Sequence, residues 1–167
     1  FSTGELDWAI HRASKTPGPA AYGKIGHMGV VGSTLASGGG DITITAGEYV
    51  EFDEDNTLTS GGGDITINAG TYVVLGGSNT IASGGGNVVV RANLDTNESG
   101  NALTMSDGDL IDAGSGTITL SADGDITVGR VITTNDTSQA VTITSTSGVV
   151  LDAGDTGGAD IVAAGAN

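Results

Sequence analysis

Apolar and polar residues alternate strictly in three short segments of this chain. The apolar pairs of these segments are Ile42 and Ile44, Ile65 and Ile67, and Val88 and Val90. A period of two places successive side chains on opposite faces of a β-strand, whereas an amphipathic helix repeats its apolar positions every three or four residues. The pattern therefore predicts strands with one buried face.

The three segments belong to an internal repeat of 23 residues. Residues 34–56 and 57–79 align without a gap, and residues 80–92 begin a third copy. Each copy also holds a short apolar segment before its glycine triplet, and each full copy holds another after the alternating segment. Three short strands per repeat form one coil of a parallel β-solenoid, in which equivalent residues stack about 4.8 Å apart. We therefore predict an all-β fold, a right-handed parallel β-helix of about six coils over residues 34–167.

The corners between strands explain the glycines. Each repeat carries Gly-Gly-Gly directly before its alternating segment, and glycine permits positive φ or close backbone approach without a Cβ clash. Asn56 and Asn79 share one register position and are predicted to form a side-chain ladder at another corner. A leucine-rich repeat is excluded because its L-x-x-L-x-L pattern is missing, whereas antiparallel hairpins stay open as the alternative architecture.

The repeat degrades after residue 93, and residues 93–101 are predicted to form a loop inserted at a corner. Further strands are predicted at residues 102–105, 110–112, 117–121, 125–128, 131–134, 140–144, 149–152 and 160–163. Turn-forming residues, among them two Asp-Gly pairs, separate these segments. The later coils are therefore expected to keep the three-strand plan.

Residues 1–33 differ from the repeats. They hold the only Trp, both Pro and both His, and their formal charge of +1 leaves −16 on the remaining 134 residues. Residues 6–13 are predicted to form a short helix, followed by an extended segment. One interpretation is a cap or linker for the first coil; the other is a docking arm that binds the acidic solenoid of a neighbour. The interaction residues of such an arm are Trp8, Arg12, Lys15, Tyr22 and Lys24.

Composition and charge limit the classes of partner that the chain is expected to bind. The chain carries 30 Gly in 167 residues, no Cys and a formal net charge of −15. Lys and Arg are too few to neutralise phosphates, so nucleic acid is not an expected partner. No apolar run approaches the roughly 18 residues of a membrane-spanning helix, so no transmembrane segment is predicted. The chain starts with Phe1 rather than Met, which we interpret as a processed product or a fragment.

Acidic side chains crowd two predicted corners, and oxygen atoms are the ligands that Ca²⁺ prefers. The candidates for a calcium site are Glu48, Glu51, Asp53 and Asp55, and a second acidic group comprises Asp107, Asp109 and Asp112. The alternative is a solvated acidic corner without a metal. Asp41 and Asp64 would stack with Asn87, where like charges repel. No other cofactor is predicted.

Catalytic chemistry finds little support in the repeats. Polysaccharide-active β-helix enzymes need paired carboxylates or a positioned base, but the solenoid offers only Arg91 and Arg130, on different coils, and no His. We therefore predict no catalytic residue and expect that the protein is not an enzyme. An outward threonine row, which an ice-binding face needs, fails by the third coil at Val89 and Arg91.

Two glycosylation sequons stand in predicted loops, at Asn97 and Asn135. An Asn-x-Ser/Thr sequon is used only in a eukaryotic secretory setting. The two asparagines are therefore modification sites only if the chain is made there.

The unit Gly-Asp-Ile-Thr-Ile-x-Ala-Gly at residues 40–47 and 63–70 resembles the repeats of filamentous-haemagglutinin-like bacterial surface proteins. Residues 116–128 and 140–153 are similar to the same repeat class, so the resemblance covers residues 34–163. It implies a right-handed parallel β-helix, export to the cell surface, and roles in adhesion or fibre formation. The secretion domain typical of that family is not recognisable in this chain, and the family's rods are far longer.

These observations together predict a structural subunit of an extracellular or cell-surface filament or matrix. Assembly would use head-to-tail stacking of solenoid ends, docking of the N-terminal arm, or both. The expected partners are copies of the chain itself or a larger surface assembly. Two alternatives stay open: a segment of a large surface adhesin, and a peripheral accessory subunit anchored to a larger complex by the arm.

Overall fold

The computed structural model of the protein describes residues 20–21, 27–93, 101–154 and 158–164. Within these ranges the chain forms 18 β-strands and no helix. The strands follow one another in threes, and each three make one coil. The described part of the chain thus completes about five turns between the first strand of a sheet and the last.

The strand bounds follow the chain coil by coil. The first coil contains β1 (Ala20–Ala21), β2 (Met28–Val30) and β3 (Thr34–Ala36), and the second contains β4 (Ile42–Ala46), β5 (Val50–Phe52) and β6 (Thr57–Thr59). The third contains β7 (Ile65–Ala69), β8 (Val73–Leu75) and β9 (Thr80–Ala82), and the fourth β10 (Val88–Ala92), β11 (Asn101–Met105) and β12 (Leu110–Asp112). The fifth contains β13 (Ile118–Ala122), β14 (Asp125–Val128) and β15 (Arg130–Thr133). The last described coil contains β16 (Val141–Ser145), β17 (Val150–Asp152) and β18 (Ile161–Ala163).

Every strand pairs in parallel with its equivalents in the neighbouring coils. Sheet A has the order β1-β4-β7-β10-β13-β16, sheet B the order β2-β5-β8-β11-β14-β17, and sheet C the order β3-β6-β9-β12-β15-β18. In sheet A, Ile42 pairs with Ile65 and Ile65 with Val88, which is the register of the sequence repeat. The predicted parallel β-solenoid is confirmed, and antiparallel hairpins are excluded for the described strands.

The core consists of the inward side chains of all three sheets. In the interior coils these side chains are at most 5% exposed. Their ladders include Ile42, Ile65, Val88 and Ile118 in sheet A; Phe52, Leu75, Met105 and Val128 in sheet B; and Leu58, Ile81, Ile111 and Val131 in sheet C. Full burial of one such side chain contributes roughly 1.5–3 kcal/mol. The coils therefore hold one another together, because each coil covers the inward side chains of the next.

The glycine triplets form corners whose backbone favours glycine. Gly84 and Gly85 have φ values of 70° and 130°, in the region that side chains rarely adopt. A Cβ on the third glycine, Gly86, would lie 2.2 Å from the carbonyl oxygen of Gly63 in the coil before it. Both predicted reasons for glycine at this corner, positive φ and close backbone approach, are therefore confirmed.

Part of the segment 1–33 belongs to the sheets. β1 pairs with β4, and β2 pairs with β5 so that Met28 meets Val50 and Val30 meets Phe52. Both strands precede the first recognisable repeat, so the repeat alone does not point to them. The helix predicted at residues 6–13 lies outside the described residues, as do residues 94–100 of the predicted loop.

The strands predicted beyond the repeats are found where they were expected. Those predicted at residues 110–112 and 125–128 coincide with β12 and β14, and the others differ by no more than one residue at either end. Alternation between buried and half-buried residues, as in β13 and β14, is the feature that located them. Each coil therefore keeps three strands even where its sequence no longer matches the 23-residue repeat.

Candidate functional site

A buried polar ladder runs along the corner between sheets B and C. The side-chain amide of Asn56 donates to Oδ1 of Asn79, and that of Asn79 donates to Oδ1 of Asp109, both at 2.9 Å. The backbone N–H groups of Asn56 and Asn79 donate to the same two oxygens, at 3.0 and 2.8 Å. The predicted asparagine ladder is confirmed, and Oδ1 of Asn79 and Oδ1 of Asp109 each receive two donors from the coil before.

Asp109 ends this ladder and does not belong to an acidic corner. Its side chain is fully buried, and its Oδ2 accepts the backbone N–H of Ser106 at 2.6 Å. The sequence groups Asp109 with Asp107 and Asp112 as a possible calcium corner. Its carboxylate instead serves a structural role, because the two donors of Asn79 and the Ser106 N–H satisfy it inside the protein.

A second polar ladder lies at the corner between sheets C and A. Oδ1 of Asp41 accepts the backbone N–H of Asp64 at 2.8 Å, and Oδ1 of Asp64 accepts that of Asn87 at 2.7 Å. Oδ1 of Asn87 in turn accepts both the N–H and the hydroxyl of Thr117. The predicted stacking is confirmed. Each carboxylate bonds to the backbone of the next coil, which offsets the expected repulsion.

Three aromatic rings form a column where the chain enters sheet B. The centroids of His27 and Tyr49 are 5.2 Å apart, and those of Tyr49 and Tyr72 are 4.8 Å apart with an interplanar angle of 5°. Burial raises the pKa of the Tyr72 phenol, and Tyr49, Glu51 and Glu48 raise it further. This column was not predicted, although the two tyrosines stand at the same position of successive repeats.

The four calcium candidates lie on the second coil. Glu48, Asp53 and Asp55 are exposed at its corners, and Glu51 faces outward on β5. Among the described residues, no group of three or more acidic or histidine side chains is arranged to hold a metal ion. The calcium site stays a prediction from the sequence.

The other predicted sites are the interaction residues of the arm and the two glycosylation sequons. Trp8, Arg12, Lys15, Tyr22 and Lys24, the interaction residues of the arm, lie outside the described residues, and so does Asn97. Asn135 lies within the described residues, and its side chain makes hydrogen bonds. Its Nδ2 donates to the carbonyl of Ser115 at 3.0 Å, and its Oδ1 accepts the N–H and the hydroxyl of Thr137 in the same loop.

The outward face of sheet A is rich in hydroxyl groups. Its first row contains Thr43, Thr66, Val89, Thr119 and Thr142, and its second contains Thr45, Asn68, Arg91, Ser121 and Thr144. The rows fail at the third position, as the sequence indicates, and resume in the two later coils. No acidic residue lies at these ten positions.

The last described coil leaves its core-facing side chains open. Val150 and Ile161 are 50% and 49% exposed, although the residues that they pair with, Ile126 and Val131, are fully buried. Val141 and Ile143 on β16 are half-buried. No described strand pairs with the outer edges of β16, β17 and β18. This apolar coil with three open parallel edges is the candidate assembly surface.

The other end of the described solenoid is similar in kind. Met28, Val30 and Leu35 occupy inward positions of the first coil and are only partly buried, although their partners Val50, Phe52 and Leu58 are buried. Both end coils therefore contribute one strand to each of the three sheets, and both expose apolar side chains at inward positions.

Comparison of the chain with protein-family models, curated proteins and solved structures gave no match in any of the three. In the described part of the chain, no helix has the length and apolar character that crossing a membrane requires. The fold and the surfaces described above therefore carry the argument about function.

Proposed function

We propose that this protein is a structural subunit of an extracellular or cell-surface filament or matrix, and that it assembles by end-to-end stacking of its β-solenoid. The observation that carries this proposal is that the last described coil has Val150 and Ile161 about half exposed, at positions that are fully buried one coil earlier. Exposed parallel edges accept further strands, and apolar side chains beside them favour a partner that covers both.

A second copy of the chain fits this surface better than an unrelated partner. Its first coil offers strands in the same three directions, with Met28, Val30 and Leu35 at the core positions. A contact between two different ends is heterologous and does not close on itself, so that repeated stacking gives a filament. A net charge of −15 adds a constraint, because it disfavours side-by-side packing of the acidic corners.

The proposal is tested by sedimentation velocity over a concentration series and by negative-stain microscopy, each with and without millimolar Ca²⁺. We expect thin unbranched fibres, and we expect Ile161→Arg to abolish them because it places a charge on the open coil. Ile132→Arg is the matched control, since Ile132 faces outward on β15. Dispersed particles at every concentration, or fibres that survive Ile161→Arg, would contradict the proposal.

The second candidate is a segment of a large surface adhesin, related to the filamentous-haemagglutinin-like proteins. The repeat units at residues 40–47 and 63–70 support it, since that resemblance implies long rods of stacked coils. In this case a coil of the same polypeptide covers the last described coil, and the isolated chain stays monomeric.

If fibres form in the microscopy, their dependence on Ca²⁺ would support the acidic corner as a metal site.

A peripheral accessory subunit anchored by the N-terminal arm is the third reading. It depends on residues outside the described part of the chain. Removal of residues 1–19 keeps β1 and β2 and deletes Trp8, Arg12 and Lys15. Tyr22→Ala and Lys24→Ala in the same truncation remove the other two interaction residues of the arm. Loss of binding to a basic partner by this variant would support the accessory reading, and an unchanged assembly size would exclude the arm from assembly.

A further inference from the structure

An acidic residue occupies a core position of the last described coil. β17 pairs with β14 so that Val150 aligns with Ile126 and Asp152 aligns with Val128. In the coils before, the same inward position of sheet B is occupied by Phe52, Leu75, Met105 and Val128, all at most 4% exposed. The ladder therefore changes from large apolar side chains to a carboxylate at the coil that has no described neighbour.

The carboxylate of Asp152 is placed in solvent by the open end. Oδ1 accepts the backbone N–H of Gly154 at 2.7 Å, which is a bond within its own turn and comes from no other coil. The side chain is exposed, unlike Asp109, whose buried carboxylate has donors from a neighbouring coil. The carboxylate of Asp152 therefore depends on water for its remaining hydrogen bonds.

We infer that Asp152 limits stacking on the last described coil, so that a second copy of this chain docks there weakly and reversibly. The inference rests on the proposed function in one respect: it names the group that sets the strength of the end-to-end contact. Inward-pointing charges are a known means by which proteins protect open strand edges from uncontrolled pairing.

The register of sheet B gives the physical reason. Val30 pairs with Phe52 and so occupies the ladder position of Asp152 in the first coil. A second copy that continues the solenoid would bring its Val30 onto Asp152. The carboxylate would then lose its water and gain no donor, which is costly for an ionised group.

The remaining inward positions of the same coil favour contact. Val150 and Ile161 are apolar and exposed, and Val141 and Ile143 on β16 are half-buried. Burial of these side chains would stabilise a stacked pair, whereas burial of Asp152 opposes it. Asp152 therefore limits the affinity of this end for a second copy of the chain, and its replacement by an apolar residue is expected to raise the association constant.

The test compares Asp152→Val with Glu54→Val in sedimentation velocity over a concentration series. Glu54 is an exposed acid at a corner of the second coil and is not one of the calcium candidates, so its replacement makes the same change in net charge away from the end. We expect Asp152→Val to raise the association constant at least about tenfold over wild type, whereas Glu54→Val leaves it within about twofold. Adding Ile161→Arg to Asp152→Val should reverse the gain.

A second variant guards against a folding artefact. Asp152→Asn removes the charge and keeps an oxygen that can accept the Gly154 N–H, so it should give a smaller increase in the same direction. Circular dichroism establishes that each variant is folded, and if Asp152→Val does not fold, Asp152→Asn decides. An association constant for the folded Asp152 variants no higher than that of Glu54→Val would overturn the inference.

The outcomes separate this inference from the proposed function. Monomeric wild type together with associating Asp152→Val supports the inference and contradicts the filament. Wild-type fibres that Asp152→Val leaves unchanged support the filament and overturn the inference. Association of Asp152→Val that Ile161→Arg does not reverse would also overturn it, because the contact would then lie elsewhere.

Discussion

The interior coils and the last described coil follow one backbone plan but differ in how well they bury the same ladder. Ile111, Val131 and Ile161 pair in turn along sheet C, yet Ile111 and Val131 are fully buried whereas Ile161 is 49% exposed. The difference teaches that a side chain in a solenoid is buried by the coils on either side of it and hardly by its own. Stability and adhesiveness therefore depend on position along the axis as well as on residue type.

The polar ladders differ between the same two regions. Asn56, Asn79 and Asp109 bond to one another through successive interior coils, whereas the equivalent positions beyond Asp109 are Gly129 and Ala159. The corner between sheets C and A has polar contacts of its own. There the Thr133 hydroxyl lies within hydrogen-bond distance of the carbonyl oxygens of Gly114 and Gly116, as the Ser83 hydroxyl does of those of Ala113 and Gly86.

The largest expected effect compares two isoleucines of one ladder. Ile111→Ala should lower the free energy of unfolding by about 4 kcal/mol, because it leaves a cavity between two covering coils. Ile161→Ala should lower it by only about 1 kcal/mol, because that side chain is already half exposed. Chemical denaturation measures both at a concentration where the protein is monomeric. Equal losses would contradict the axial burial argument.

The next effect concerns the corner of an interior coil. Gly86→Ala should cost about 3 kcal/mol, because its Cβ would lie 2.2 Å from the Gly63 carbonyl oxygen and neither backbone can yield. Gly29→Ala on β2 is the control, since no atom lies within 4 Å of a Cβ there. The control should change the stability by less than about 0.5 kcal/mol. A Gly86→Ala protein as stable as Gly29→Ala would show that the corner relaxes.

The smallest of the three effects concerns the buried ladder that the last coil lacks. Asn79→Ala should lower the free energy of unfolding by about 2 kcal/mol, because it removes the acceptor of the Asn56 donors and one donor of the buried Asp109. Asn68→Ala is the control, as Asn68 faces outward on β7 and should change the stability by less than about 0.5 kcal/mol. Thermal unfolding that is the same for both variants would mean that water replaces the ladder.

Much of the fold was predictable because a solenoid converts a sequence repeat directly into a spatial register. The separation of 23 residues between Ile42 and Ile65 is the separation of paired positions in sheet A, and alternation alone located β12 and β14. β1 and β2 were not predicted because they precede the repeat and match none of its letters. A strand of two or three residues leaves no pattern of its own.

The candidate assembly surface was only partly predictable. The sequence predicted stacking of solenoid ends, but it does not separate the roles of Asp109 and Asp152, which both lie within two residues of a glycine. Their roles differ because one stands next to a coil that supplies donors and the other stands at a core position without a described covering coil. Such a distinction needs the register across coils, where the letters no longer repeat.

The sequence by itself determined the strands, their parallel stacking and the apolar ladders, because period-two alternation and an exact repeat act through local geometry and translation along one axis. The tertiary structure alone decided which polar groups are buried and which core positions stay open. The burial of a residue depends on the coil stacked against it, and the pairing partner of Asp109 or Asp152 lies about 25 to 30 residues away in the chain. Long-range register, which no local pattern records, therefore sets which core positions of the described solenoid are covered and which are exposed.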